Sequence, residues 1–286
     1  MADYYVSQST GNDAWPGTIG QPWQTLGEVS IQFLAGTFGA GDNIYLMRGD
    51  TWTVTGLGNC LRLRGSSGSF GSHIVIQPYS AGADPVIQGD GITNVFLVGR
   101  YGGDAAANYI TIRELELTNW VDTGALYMQG SASYWYMHDL YIHTSTIVGA
   151  AVAPGIFVND DSHHAKIYDC EVTNCQGEGL YLGLTTGTPQ SDYTRRVDVN
   201  GCWLHDNYNE GVDMKGISTS CFVVDTNFED NGRYTGGWDD AQFNIGGRYH
   251  RIMNCQFSNV TPLGNRYALQ FFYTYSGTGC RYIHVD

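Results

Sequence analysis

Basic residues are scarce in this chain. Fourteen lysines and arginines stand against twenty-eight acids in 286 residues, a formal net charge of −14. So acidic a surface repels a phosphate backbone, which argues against a nucleic-acid partner. It repels a polyuronate as well, so an acidic glycan would require a bound cation or a local basic patch. No long Ala/Leu/Glu/Lys stretch is present, which argues against a helical domain, and no apolar run approaches membrane length, which argues against a membrane partner. The seven cysteines include no Cys-x-x-Cys pair and no Cys/His cluster with zinc spacing. Cys170 and Cys175 are the one conceivable pairing. The glycine-rich stretch Gly65 to Gly71 has no following lysine and helix of the phosphate-loop type and is read as turns. A signal peptide is also missing at the Met-Ala-Asp start, so the expected location is extracellular after loss of a leader, or a phage virion.

What the chain does contain is glycine, tyrosine and a repeat. Thirty-eight glycines and twenty tyrosines fit a turn-rich β protein. The segments Glu114–Asn119, Asp139–Thr144, Asp169–Asn174, Gly201–Asp206, Asp225–Asp230 and Asn254–Asn259 are six copies of one strand and turn. Their second positions are Leu115, Leu140, Cys170, Cys202, Thr226 and Cys255. The fourth positions are Leu117, Ile142, Val172, Leu204, Phe228 and Phe257. Both columns are expected to point inward. The sixth position is a polar turn residue every time, able to cap backbone groups at a corner. Period-two alternation closed by a stacked polar turn, and repeated at a near-constant interval, predicts a parallel β-helix. The expected fold is all-β, one domain over 1–286, with an N-terminal cap and first strands in 1–60 and coils in 61–286. One short helix is expected near Trp23–Leu34, covering the open end of the solenoid. The chain stops at Arg281–Asp286 inside an apparent strand, so oligomerisation through that end is an expectation.

A second short strand follows each copy: Leu126–Met128, Ile156–Val158, Leu180–Leu182, Val212–Met214, Ala241–Phe243 and Leu269–Phe271. The middle residues should face solvent. They read Tyr127, Phe157, Tyr181, Asp213, Gln242, Gln270, a stripe that changes from aromatic to polar. Aromatic faces stack on pyranose rings, while amides and carboxylates bond hydroxyls, so the stripe is a candidate polysaccharide groove. Packing under side loops is the other reading.

The run Tyr4–Asp13, with Trp15-Pro-Gly-Thr18, Gln21–Leu26 and Gly41–Leu46, resembles the opening of right-handed parallel β-helix proteins, including secreted polysaccharide lyases and phage tail depolymerases. Asn209-Glu-Gly-Val-Asp213 is similar to the Asp-Asp-Gly-Trp-Asp calcium motif of family 9 pectate lyases. It keeps acids at Glu210 and Asp213 and departs from the motif at Asn209. That family also carries a catalytic lysine in a Phe-Lys-Leu-Gly-Gly-like run, where this chain has Phe243-Asn-Ile-Gly-Gly247. Asn244 is therefore a candidate substrate contact. Lys215, at the same outward position one coil earlier in the column alignment, is the candidate replacement base; its other reading is an ordinary surface lysine.

Glu178, Glu210 and Asp239 precede successive second strands. With Asp213 they should form an acidic cluster, since rungs lie about 4.8 Å apart. Like charges so close need a neutraliser. Calcium is one, held by Glu178, Glu210, Asp213 and Asp239, and it implies β-elimination on an acidic glycan. A proton shared among Glu178, Glu210, Asp213, Asp239 and Asp240 is another, and implies glycoside hydrolysis. Pre-turn acids that only bond backbone amides, or a non-catalytic glycan-binding module of tail-spike type, complete the alternatives. Arg195, Arg196 and Arg248 are possible partners for a uronate carboxylate. His163 and His164 are read as a solvated loop.

Overall fold

The structure, a computed structural model, describes residues 1–55, 60–90, 95–98, 105–121, 124–146, 153–183, 194–215, 218–233, 241–258, 267–271 and 283–286. Three sheets of parallel strands wind into a solenoid. The first has ten strands, from Asp3–Val6 to His284–Val285; the second has eight, from Thr51–Val54 to Gln256–Ser258; the third has eight, from Leu61–Arg62 to Tyr267–Phe271. One coil is Arg195–Asn200, Trp203–His205 and Val212–Met214, and each of its strands pairs with its counterpart one coil away. His163 and His164 lie in the first-sheet strand His163–Tyr168, half-buried, rather than in a loop.

The repeat is bounded by two left-handed corners. Glu114, Asp139, Asp169, Gly201, Asp225 and Asn254 have φ between 49° and 67°, and so do Asn119, Thr144, Asn174, Asp206 and Asp230 at 47° to 60°. Asn, Asp and Gly tolerate that region best, which explains their prevalence at both ends of the motif. The two bends leave a three-residue strand whose centre points inward. Leu117, Ile142, Val172, Leu204 and Phe228 are fully buried, and Leu115, Leu140, Cys170, Cys202 and Thr226 line the next column. Cys170 and Cys175 are both buried free thiols, not a disulfide.

The helix spans Leu26–Leu34 and buries Leu26, Val29 and Phe33. Thr25 caps its start, its Oγ1 accepting from the Glu28 amide at 3.1 Å. Ser30 donates to the Cys60 carbonyl and accepts from the Arg62 amide, fastening the helix over the first strand of the third sheet. It thus covers one end of the apolar core.

Between the second and third sheets the coils approach so closely that side chains are excluded. A Cβ on Gly179 would lie 2.6 Å from the Gly211 carbonyl oxygen, and one on Gly211 would lie 2.7 Å from Phe228 Cδ1. Each glycine directly follows an acid of the cluster, Glu178 or Glu210. Gly179→Ala is expected to cost about 1–3 kcal/mol in a chemical denaturation curve. An unchanged midpoint would mean that the corner relaxes freely.

Candidate active site

The outward column of the third sheet is fixed by register. Tyr127 pairs with Phe157, Phe157 with Tyr181, Tyr181 with Asp213, Asp213 with Asn244 and Asn244 with Gln270. Asn244 therefore takes the place expected for Gln242. Strand Ala241–Ile245 is set two residues further along than the alternation suggested, which keeps every side chain on its own face. Gln242 is buried and structural. Its Oε1 accepts from Asn231 Nδ2 at 3.0 Å, and its amide donates to the Ser258 carbonyl at 2.7 Å. It closes a buried amide ladder in which Asn207 Nδ2 donates to Asn231 Oδ1 at 2.8 Å.

The same shift corrects two further expectations. Lys215 lies opposite Gly246, not Asn244, because Met214 pairs with Ile245. The position beside Glu210 belongs to Ala241, not Asp239. Asp239 and Asp240 themselves lie outside the described residues.

Glu178, Glu210 and Asp213 do come together. One oxygen from each lies within 4.8 Å of the others, and all three side chains are buried. Asp213 is 0% exposed, so this part of the stripe is a covered floor rather than open surface. Glu178 and Glu210 stand on adjacent rungs at the close-packed corner, and Asp213 follows on the strand. Lys215 Nζ forms an ion pair with Asp213 and sits 4.7 Å from the Tyr181 ring centroid. It forms the rim, with its side chain 16% exposed.

Electrostatics follow from this crowding. Burial, reinforced by the Asp213 charge and opposed by Lys215, pushes the Glu178 carboxyl up to about 7. Burial alone would lower the Lys215 ammonium, but the charge of Asp213, with Tyr181 and Glu178, raises it above its usual value. Asn209, the position that departs from the calcium motif, donates to Glu178 Oε1 at 3.4 Å. Glu178 Oε2 and both amide atoms of Asn244 are buried without a hydrogen-bond partner among the described residues. The donor set contains only oxygen, as a hard cation such as calcium prefers. Three carboxylates facing one ammonium have room for further positive charge.

In the metal-free protein, folded Glu178 keeps its proton where the unfolded chain, with a carboxyl near 4.5, has lost it. Glu178 should therefore withdraw stability as pH rises from about 4.5 to about 7, with a slope approaching about 1.4 kcal/mol per pH unit, while buried His250, lowered to about 4, adds stability over the lower part of that range. Denaturation curves at several pH values in chelator isolate the Glu178 contribution as the difference between wild type and Glu178→Gln, and identical profiles for the two would contradict it.

Along the column, Tyr127 and Phe157 stack at 4.7 Å, and Phe157 meets Tyr181 edge-on at 4.6 Å. Gln270 is half-buried. Arg195 and Arg196 are engaged on the first sheet instead: Arg195 donates to Asp161 at 2.7 Å, and Arg196 lies 2.9 Å from His164 Nε2. The amide ladder escaped the sequence reading, although its signal was present. Asn207 and Asn231 each follow a left-handed aspartate, Asp206 and Asp230.

Residues 96–261 match the family described as the right handed beta helix region. This chain belongs to that family. No curated protein matches this β-helix chain. Among solved structures, an alginate lyase from Paenibacillus aligns over 100% of this chain and 99% of its own, with TM-score 0.68 and 15% identity. The pectate lyase Pel9A aligns over 100% and 76%, with TM-score 0.67 and 16% identity. A GH136 lacto-N-biosidase from Eubacterium ramulus aligns over 90% of this chain, with TM-score 0.60 and 15% identity; the match spans 51% of that enzyme. At such identities the likeness is one of fold. No helix among the described residues is long and apolar enough to cross a membrane.

Proposed function

We propose that this β-helix is a polysaccharide-degrading enzyme acting outside the cell, a lyase that cleaves an acidic glycan by β-elimination with calcium at Glu178, Glu210 and Asp213. The observation that carries it is the triad of buried carboxylates within 4.8 Å of one another, with the ammonium of Lys215 paired to Asp213. Calcium there would supply positive charge to the uronate carboxylate and acidify the C5 proton. With a cation held by Glu178, Glu210 and Asp213, the hold of Asp213 on Lys215 would weaken and the nearby positive charge would lower the ammonium pKa, so that the Lys215 amine could act as base. Lys215 then takes the C5 proton. The electron pair of that bond becomes the C4–C5 double bond as the C4–O bond breaks, and the leaving oxygen is protonated from solvent. Half-buried Phe157 and Tyr127 extend the column as stacking surfaces and Gln270 as a hydrogen-bonding group, while Tyr181 and Asn244, both buried, form its floor on either side of Asp213. Asp239, outside the described residues, remains a candidate additional ligand or acid.

Hydrolysis is favoured by one observation, the Glu178 carboxyl held near neutrality, as a general acid requires. Its burial at 3% exposure leaves little approach for a glycosidic oxygen. The two readings separate by ultraviolet absorbance at the unsaturated-uronate band, with pectate and alginate as substrates, in calcium or in chelator. A calcium-dependent rise is expected. No rise, with new reducing ends on neutral glycans, would give the hydrolase; neither product would give a binding module.

A further inference from the structure

The second sheet carries a different device. In its outward column, Glu116 pairs with Tyr141, Tyr141 with Glu171 and Glu171 with Trp203. Tyr141 and Trp203 are among the exposed large side chains, at 39% and 41%. Each ring is braced in the same way. Tyr141 stacks on His143 at 4.3 Å, and His143 Nε2 lies 3.0 Å from Glu116 Oε1. Trp203 stacks on His205 at 3.9 Å, and His205 Nε2 lies 3.2 Å from Glu171 Oε1. On the other side of that imidazole, Asp206 Oδ2 lies 2.7 Å from Nδ1. The unit is thus built twice: an aromatic ring, a histidine two residues later, and a glutamate one rung before.

Core packing does not account for these braces, because the rings they hold are exposed. A ring held flat on a rigid sheet loses little freedom when a second planar or pyranose face stacks on it. The two rings stand two rungs apart, about 9.6 Å, approximately the length of a disaccharide. An extended two-fold glycan ribbon presents the same pyranose face at every second residue, and so suits both rings at once. Between them the Glu171 carboxylate is placed to accept hydroxyl hydrogen bonds. Charge selects further: Glu116 and Glu171 stand in the same column as the rings, while Asp206 is neutralised by its ion pair with Arg233, so a polyuronate is disfavoured beside the two glutamates and an uncharged chain is not.

We infer that Tyr141 and Trp203 form a glycan-binding surface on the second sheet, separate from the acidic site and directed to neutral β-1,4-linked ribbon polysaccharides. It does not depend on the lyase reading. The test is titration calorimetry with cellohexaose and mannohexaose as probes and hexagalacturonate as the acidic control. Titrated in chelator, which keeps calcium from the acidic site, wild-type protein should bind at least one neutral hexasaccharide more tightly than the acidic one. Tyr141→Ala and Trp203→Ala should each weaken binding about tenfold, Trp203→Phe should retain most of it, and Asp213→Ala should leave it unchanged. Binding of neither neutral probe, or unchanged binding in the Tyr141→Ala/Trp203→Ala double variant, would overturn the inference. So would a sedimentation profile in which wild-type protein is a dimer and Trp203→Ala a monomer, since the rings would then serve a second copy of the chain.

Discussion

Calcium at about one hundred times its dissociation constant is expected to raise the melting temperature by about 5 °C, and Asp213→Ala to abolish the rise. A ligand that binds only the folded state at that excess contributes about 2.7 kcal/mol, and for a domain of this size each kcal/mol moves the midpoint by about 2 °C. The effect is specific to this location because Asp213 joins the two elements involved, Glu178 and Glu210 at the corner and Lys215 at the rim. Chelator should reverse it. Magnesium should give a smaller rise, since it keeps its waters and demands a stricter geometry. Asp213→Asn, closer in shape, provides the same reading should the alanine variant fold poorly. A full calcium response in Asp213→Asn and in Glu210→Gln would remove the ion from this site.

Lys215→Ala should lower turnover by about two to four orders of magnitude, the usual contribution of a positioned proton acceptor, with little change in KM. The same substitution has a second readout. It leaves Asp213 buried without its ammonium, a loss of about 3–5 kcal/mol for a broken buried pair. Calcium should restore much of that stability without restoring turnover. Lys215→Met, which preserves the aliphatic stem, should behave alike. Wild-type turnover in either variant would transfer the proton chemistry to Glu178 and its neighbours.

The coil architecture was legible because its cause is local. An asparagine, aspartate or glycine at every corner but those of Glu114 and Thr144 favours a positive φ, and the apolar residues between corners have one inward face available. The helix was legible for the same reason, through the spacing of its apolar residues, Leu26, Val29 and Phe33 among them, and Gly36 beyond its end, while its Thr25 cap is seen only in the structure. The site was legible in part. Glu178, Glu210 and Asp213 meet as their spacing implied, because the strands Leu180–Leu182 and Val212–Met214 have equal lead-ins. The next coil was misread because Ala241, Phe243 and Ile245 are all apolar, so alternation allows either of two registers on the same face. Tertiary hydrogen bonds decide between them: the Gly211 amide donates to the Gln242 carbonyl, and Asn231 binds the Gln242 side chain. Burial of Asp213 was likewise invisible, since alternation states which way a residue points and not what lies over it.

From Glu114 onward the corner between the first and second sheets is two residues, Glu114-Leu115, Asp139-Leu140, Asp169-Cys170, Gly201-Cys202, Asp225-Thr226 and Asn254-Cys255, whereas the first two coils have three (48–50) and six (80–85) there. The other connections vary in length, Met214 to Phe222 against Leu182 to Arg195 for instance. From the strand Asn108–Arg113 onward the solenoid therefore behaves as a thread of fixed pitch, with one seam that holds its length and two that accept inserted material. Inherited insertions and deletions should collect at the two permissive seams. A whole coil cut at the invariant seam should be removable or duplicable as a cassette, displacing the face that bears Trp203 and the floor that bears Asp213 by the same number of rungs.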